Sequence, residues 1–119
     1  MNVQEFYAAI GGDYKTAVAR MMNDDFVKRM LGKFQANNSF DALLNAYRNK
    51  DAKSLFEAAH SLKGVSGNLA LVDLQSKVGV IVEAVRDYEH VNELNLDGEM
   101  RALESAYLLV KSKLEELLK

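Results

Sequence analysis

The segment Asp51–Leu71, DAKSLFEAAHSLKGVSGNLAL, decides how this 119-residue chain folds. Small and apolar residues recur in it at alternating steps of four and three positions: Leu55, Ala59, Leu62, Ser66 and Leu69. This spacing is typical of the face that a helix buries in a bundle. Asp51 is a residue type that favours the N-cap position. The segment therefore predicts a long helix that begins at Asp51 and runs through about Ala70.

The residues before this segment show shorter amphipathic stretches. The pattern predicts a helix over Asn2–Ile10 that stops at Gly11-Gly12, and a brief helical turn from Asp13 to Arg20. Two further helices are expected, one ending near Asn37-Asn38 and the other near Asn49-Lys50, with Ser39 as the cap of the second.

The residues after the segment predict a helical hairpin. Leu71-Val72-Asp73 is expected to form a turn, and the next helix runs from Asp73 to about Tyr88. The stretch His90–Leu96 is polar and is expected to be a loop, after which Asp97 caps the last helix. Short connections between long amphipathic helices favour antiparallel neighbours. The fold class predicted is all-α, an antiparallel four-helix bundle with additional short N-terminal helices, in a single domain over residues 1–119.

Composition excludes several classes of function. The formal net charge is −2, so there is no basic excess for binding nucleic acid, and cysteine is absent, which excludes thiolate chemistry and disulfides. No apolar run approaches the roughly twenty residues of a membrane span, and the first residues lack a basic leader. A monomeric, cytoplasmic protein that binds neither membrane nor nucleic acid is expected.

One face of the long helix combines residues with chemical potential. On a helical projection, His60 lies about 140° from the buried stripe. Gly64 and Gly67 lie within about 40° of His60. Lys63 lies about 60° from His60, and Phe56 about 40°. Two glycines inside a helix destabilise it by about 1 kcal/mol each relative to alanine, so they call for a reason other than stability.

The residue types on this face suit a phosphoryl carrier. A histidine side chain with the reference pKa of about 6.5 is largely neutral at physiological pH, and so offers a nucleophilic lone pair without a separate base. Gly64 and Gly67 lower the surface beside the ring so that a bulky partner can approach. Lys63 can offset the charge of an N-phosphoryl group. Exposed helical histidines and lysines are also common without any function, and an alternative role for Gly67 is to permit close packing of helices, although we favour the docking role for both glycines.

The stretch Ala58–Leu71, AAHSLKGVSGNLAL, resembles the signature of the histidine-containing phosphotransfer (Hpt) domain family: histidine, then lysine three residues later, glycine four later and a small residue seven later. The resemblance implies that His60 is the phospho-accepting residue and Lys63 a neighbour of the phosphate. It also implies docking of a partner over Gly64, Gly67 and Phe56, although Phe56 could instead pack at the core edge.

The resemblance further implies the partners and the division of chemistry. Response-regulator receiver domains, and a hybrid or sensor histidine kinase, would exchange phosphate with this chain. The receiver would supply Mg²⁺ and most catalytic groups. The chain itself would hold no cofactor and no metal, and would not be an enzyme. The partners' identity and the direction of phosphate flow are not given by the sequence.

Two positions depart from the family pattern. Many members have glycine ten residues after the histidine, where this chain has Ala70, and we expect the helix simply to continue through it. Many also carry a Gln or Glu that hydrogen-bonds the imidazole at the position of Val82. Gln75 or Glu83 could substitute for it, or water could orient the ring.

Two other functions compete with the phosphoryl carrier. The chain could be a phosphorylation-independent helical adaptor that binds receiver domains, in which case His60 would be dispensable. A small helical enzyme is the weaker alternative, because no paired carboxylates and no nucleophile–base pair accompany the histidine. His90, in the polar stretch DYEHVNELN, is interpreted as a loop residue without chemistry.

Overall fold

The computed structural model describes all 119 residues as helices and short connections. There are seven α-helices and one 3₁₀ turn: α1 Val3–Ala9, α2 Tyr14–Met21, α3 Asp24–Gln35, α4 Ser39–Arg48, α5 Ala52–Asn68, α6 Val72–Ala84, the 3₁₀ turn Tyr88–His90, and α7 Asp97–Leu117. The predicted all-α class is confirmed. None of these helices combines the length and the apolar character that crossing a membrane requires.

Helices α4 to α7 form the four-helix bundle, in which each helix runs antiparallel to the next. The contact between α4 and α7 closes it: the rings of Phe40 and Tyr107 stack with their centroids 3.9 Å apart. At the other end of α4, the Tyr47 hydroxyl donates to the Asp97 carboxylate and accepts from the Leu96 backbone N–H at 2.7 Å. Helices α1 to α3 pack beside this bundle, as predicted.

A single hydrophobic core of 31 buried residues includes side chains from all seven α-helices. The stripe predicted on α5 is buried too, since each of its five members is less than 5% exposed: Leu55, Ala59, Leu62, Ser66 and Leu69. Ser66 is the polar member, and its hydroxyl donates to the Leu62 carbonyl at 2.7 Å. The opposite face of α5, which carries His60, is therefore left to solvent.

The N-terminal helices are fixed to the turn between α5 and α6. The Asp13 N–H donates to the Ala70 carbonyl at 2.9 Å, and the Asp73 N–H donates to the Gly11 carbonyl at 3.2 Å. The buried Tyr7 hydroxyl donates to the Leu69 carbonyl at 2.7 Å. Burial also raises the pKa of Tyr7 well above its usual range, so it remains a donor at any physiological pH. Three hydrogen bonds thus hold α1 and α2 against the end of α5.

The glycine pair Gly11-Gly12 permits this close approach. Gly11 has a φ of +66°, in the left-handed region that favours glycine. A Cβ placed on Gly12 would lie 2.6 Å from Cδ1 of Tyr7 and 3.0 Å from the Ala70 carbonyl oxygen. A side chain at Gly12 would therefore force these neighbours to move.

The prediction that α5 continues through Ala70 is wrong. The helix ends at Asn68, and Ala70 has a φ of +57°. The Leu71 N–H donates to the Ser66 carbonyl at 2.9 Å, and the Ala70 N–H to the Gly67 carbonyl at 3.0 Å. This pair of bonds is a Schellman motif, in which the residue at Ala70 must be left-handed and glycine is preferred. The family's glycine at this position thus has a backbone reason, and this chain meets the same geometry with alanine.

Two predicted helix caps are also wrong. Ser39 is the first residue of α4 rather than its cap, which is Asn38, and the Ser39 hydroxyl lies 3.1 Å from that of Ser61 on α5. Asp97 is the first residue of α7, and its carboxylate binds Tyr47 instead of capping the helix. In both cases a neighbouring helix provides a partner that competes with the local cap.

The helical hairpin after α5 is present with shifted bounds. Helix α6 begins at Val72, inside the predicted turn, and ends at Ala84 rather than near Tyr88. Tyr88 belongs to the separate 3₁₀ turn, and the chain from Val91 to Leu96 is non-helical, in agreement with the predicted polar loop.

Candidate functional site

His60 lies near the middle of α5, on its exposed face. Its nearest aromatic neighbour is Phe56, one turn earlier, with ring centroids 5.8 Å apart. The histidine ring that forms a side-chain hydrogen bond is that of His90, which lies 2.9 Å from the Asp87 carboxylate, whereas no such bond involves His60. The His60 imidazole thus packs on Phe56, and its nitrogens form no hydrogen bond with another side chain.

His60 borders a shallow polar depression of about 350 Å³. Seven residues line it: Arg20, His60, Lys63, Gly64, Gly67, Asn68 and Gln75. The set contains two cationic side chains and two amides, and neither a carboxylate nor an apolar side chain. Its charge and its hydrogen-bond donors favour an anion with several oxygen acceptors.

Lys63 lies between this depression and a second groove on α6. Its stem crosses the surface of α6 at Gly79, where an added Cβ would lie 3.8 Å from the Lys63 Cε. The second groove is also lined by Glu83. A hydrogen bond from Arg86, followed by the charges of Arg86 and Lys63, holds the pKa of Glu83 below its usual value. The charge of Lys63 therefore acts on the Glu83 carboxylate, and the same residue also lines the depression with His60.

The two glycines on this face have different surroundings. A Cβ added to Gly64 would meet no atom within 4 Å, so nothing in the protein itself requires glycine there. A Cβ added to Gly67 would lie 2.5 Å from Nε2 of Gln75, the end of a side chain that reaches over from α6. Gly67 thus makes room for Gln75, which agrees with the packing interpretation left open by the sequence. Gly64 alone leaves an open surface beside His60.

Phe56 is half-buried and belongs to a row of rings. Its ring packs on that of His60 and also on that of Tyr88, with a centroid separation of 6.0 Å for the second pair. Tyr88 was not among the predicted site residues because the sequence places it at the end of α6. Its position follows instead from the early end of that helix, which folds the 3₁₀ turn back against α5.

The position of Val82 offers no polar contact to the imidazole. Val82 is fully buried in the core, so its side chain points away from the site. Of the two substitutes considered, Gln75 lies in the depression with His60, whereas Glu83 is hydrogen-bonded to Arg86. Gln75 is thus the α6 amide that lines the same depression as His60.

Arg20 is a further site residue that sequence reasoning missed. Its Nη1 donates to the Gly67 carbonyl at 2.7 Å and to the Asn68 carbonyl at 3.3 Å, so it covers the C-terminal end of α5. The sequence predicts only that Arg20 lies near the end of a short helix. Nothing in the pattern indicates that α2 packs beside His60, because this depends on the turn at Gly11-Gly12.

This arrangement defines a class of protein: a helical bundle that presents a histidine on the exposed face of one helix, beside a depression lined by two cationic side chains. Nowhere does the chain bring together three or more residues of the metal-ligating types. A comparison with protein families matches residues 30–119 to the model of the Hpt domain, so the chain belongs to the Hpt domain family. No curated protein and no solved structure matches it.

Membership of the family establishes the general role. The chain is a phosphotransfer domain of two-component signalling, and such domains carry phosphoryl groups rather than catalyse reactions. Their partners are the receiver domains and kinases of a phosphorelay. The matched segment includes the end of α3 and all of the four-helix bundle, whereas α1 and α2 precede it.

Proposed function

We propose that His60 accepts a phosphoryl group from an aspartate of a receiver domain and returns it to another. The observation that supports this most strongly is the exposed imidazole beside Gly64, bordering a depression with two cations and no carboxylate. An aspartyl phosphate could approach there without crossing a side chain. The phosphoryl oxygens would meet Lys63 and the Gln75 amide, both of which line the same depression.

The proposed step is an in-line displacement at phosphorus. The lone pair of one His60 ring nitrogen forms the new N–P bond, and the P–O bond to the receiver's aspartate breaks. The aspartate leaves as a carboxylate with the electron pair of that bond. The His60 ring becomes a phosphoimidazolium that still holds its other N–H. Transfer onward to a second receiver is the same step reversed.

The two proteins divide the work of this transfer. The receiver is expected to contribute Mg²⁺ and the groups that stabilise the transferring phosphoryl. This chain would contribute the nucleophile, the cations of the depression and an open surface for docking. A positioned imidazole also makes the step effectively intramolecular once the two domains have docked.

The alternative function is an adaptor that binds receivers without being phosphorylated. The observation that favours it is that no side chain forms a hydrogen bond with the His60 imidazole and that Val82 is buried. A carrier needs a chemically competent imidazole, whereas an adaptor needs only the surface around it.

The experiment compares the wild type, His60→Gln and His90→Gln after incubation with a panel of phosphorylated receiver domains. His90 is the matched control, because it is the other histidine of the chain and is also exposed. We expect acid-labile, base-stable label on the wild type and on His90→Gln, and none on His60→Gln. Receiver binding without label on any of the three proteins would refute the proposal and favour the adaptor.

A further inference from the structure

Arg20 belongs to a helix outside the segment that matches the Hpt family, yet it lines the depression with His60. Helix α2 precedes residue 30, where that match begins. The N-terminal part of this chain therefore adds a second cation beside Lys63 to the site that the bundle provides.

Arg20 lies on a helix that the fold holds in place, not on a flexible tail. The turn after α1 is bonded to the end of α5 through Asp13 and Ala70 and through Gly11 and Asp73. Since α2 begins directly after Asp13, these bonds set the distance from α2 to the His60 face. Arg20 then reaches the C-terminal carbonyls of α5.

The Arg20 guanidinium retains donors for another group. It has five N–H donors, and the bonds to the Gly67 and Asn68 carbonyls both come from Nη1. No carboxylate pairs with Arg20, and none lines the depression. The charge it faces in the unmodified protein is the end of a helix, equivalent to about half an elementary negative charge. A phosphoryl group, with about −1.5 to −2, is a stronger competitor.

We propose that Arg20 binds the phosphoryl group once His60 has received it, and thereby stabilises the phosphorylated form. This inference rests on the proposed function of His60. Gly67 lies seven positions after His60 on α5, which is about 10 Å along the helix axis, and Gly64 lies between them without a side chain. An arginine at the Gly67 end and a phosphoryl group projecting from the His60 ring approach each other across this open stretch. Planar bidentate donation to phosphate is the interaction for which arginine is best suited.

A consequence is that phosphorylation strengthens the link between α2 and α5. In the unmodified protein Arg20 bridges them through backbone carbonyls alone. In the phosphorylated protein, the same side chain joins α2 to the modified residue itself. The Arg20 contribution is absent from any relative that consists of the bundle without these N-terminal helices.

The test uses a small phosphoryl donor, phosphoramidate, so that no partner is needed. The wild type, Arg20→Gln, Arg20→Lys and the control Arg101→Gln are phosphorylated, and the ³¹P resonance of phospho-His60 is titrated with pH. Arg101 is an exposed arginine on α7. We expect the phosphoryl pKa to rise by about half a unit or more in Arg20→Gln, because a nearby cation favours the more charged form. Arg20→Lys should show a smaller rise and Arg101→Gln none.

Each outcome bears on one proposal. If phosphoramidate labels the wild type but the four titrations coincide, the Arg20 inference is wrong while the proposed role of His60 stands. If wild-type His60 takes no label from phosphoramidate or from any receiver, the proposed function itself fails. Weaker receiver binding by Arg20→Gln with an unchanged phosphoryl titration would instead make Arg20 a partner contact, which also overturns the inference. Circular dichroism melts establish that each variant is folded. If Arg20→Gln does not fold, the titration of Arg20→Lys tests the inference instead.

Discussion

Gly64 lies one helical turn beyond His60 on the exposed face of α5, and a Cβ added there would meet no atom of the protein within 4 Å. The glycine therefore destabilises the helix without any compensating contact inside the molecule. The lack of a side chain at Gly64 therefore affects a molecule that docks from outside, so substitution of Gly64 is a test of docking.

Two substitutions of Gly64 should affect the stability of the protein and the rate of phosphotransfer differently. We expect Gly64→Ala to raise the free energy of unfolding by about 1 kcal/mol, because alanine favours the helix. Gly64→Gln should remain folded but slow phosphotransfer from a receiver about tenfold or more, equivalent to about 1.4 kcal/mol of barrier. Urea denaturation and transfer kinetics measure the two effects. Gly32→Ala on α3, where an added Cβ also meets no atom, is the control for stability without loss of transfer.

Gly12→Ala should destabilise the protein. The added Cβ would lie 2.6 Å from a Tyr7 ring atom, 2.8 Å from Cδ1 of Ile10 and 3.0 Å from the Ala70 carbonyl oxygen, so the buried side chains of Tyr7 and Ile10 must shift to make room. We expect a loss of about 1–3 kcal/mol in the free energy of unfolding. Gly98→Ala, at the exposed start of α7, is the control and should change it little. Equal stability of the two variants would mean that the turn does not hold α1 and α2 in place.

Tyr47→Phe should loosen the contact between α4 and α7. The hydroxyl accepts from the Leu96 N–H and donates to Asp97, so its removal leaves a half-buried backbone donor without a partner. We expect a loss of about 1 kcal/mol by thermal or urea unfolding. Tyr14→Phe is the matched control, since the Tyr14 hydroxyl bonds to the Asp24 carboxylate in an exposed position. A loss no greater than that of the control would contradict the prediction.

Acid should weaken the starts of α2 and α5. Hydrogen bonds from Thr16 lower the pKa of Asp13, and those from Ser54 lower the pKa of Asp51. The stabilisation from each depressed pKa is complete above the unfolded value of about 3.9 and is lost as pH falls through the lower folded value. The urea concentration at the midpoint of unfolding should therefore decrease as the pH is lowered below about 4. The double variant Asp13→Asn, Asp51→Asn keeps cap acceptors that do not titrate, and its midpoint should vary less over this range.

The sequence predicts the helices well where the interactions that determine a segment's structure lie within that segment. The buried stripe of α5 follows from its own spacing, and Asp13 and Asp51 cap their helices through bonds to residues three positions later. Ser39 and Asp97 are the failures of the same rule, because Ser61 and Tyr47 on other helices provide alternative partners. A local pattern contains no information about such partners.

The limits at the site have the same origin. His60, Lys63, Gly64, Gly67 and Phe56 are all on one helix, so their common face is calculable from the sequence. Arg20, Gln75 and Tyr88 come from three other segments, and their approach depends on how the helices pack. The end of α5 was missed for a different reason, since alanine seldom adopts the left-handed conformation that Ala70 has.

The hydrogen bonds between the Gly11–Asp13 turn and the α5–α6 turn have a practical consequence for protein expression. A fragment trimmed to residue 30, where the family match starts, would lose the donors to the Leu69 and Ala70 carbonyls. It would also lose the α1 and α2 side chains that belong to the common core, among them Phe6, Tyr7 and Met21. The boundary that sequence similarity draws is therefore not the boundary of the folding unit, and a fragment cut there should aggregate more readily than the whole chain.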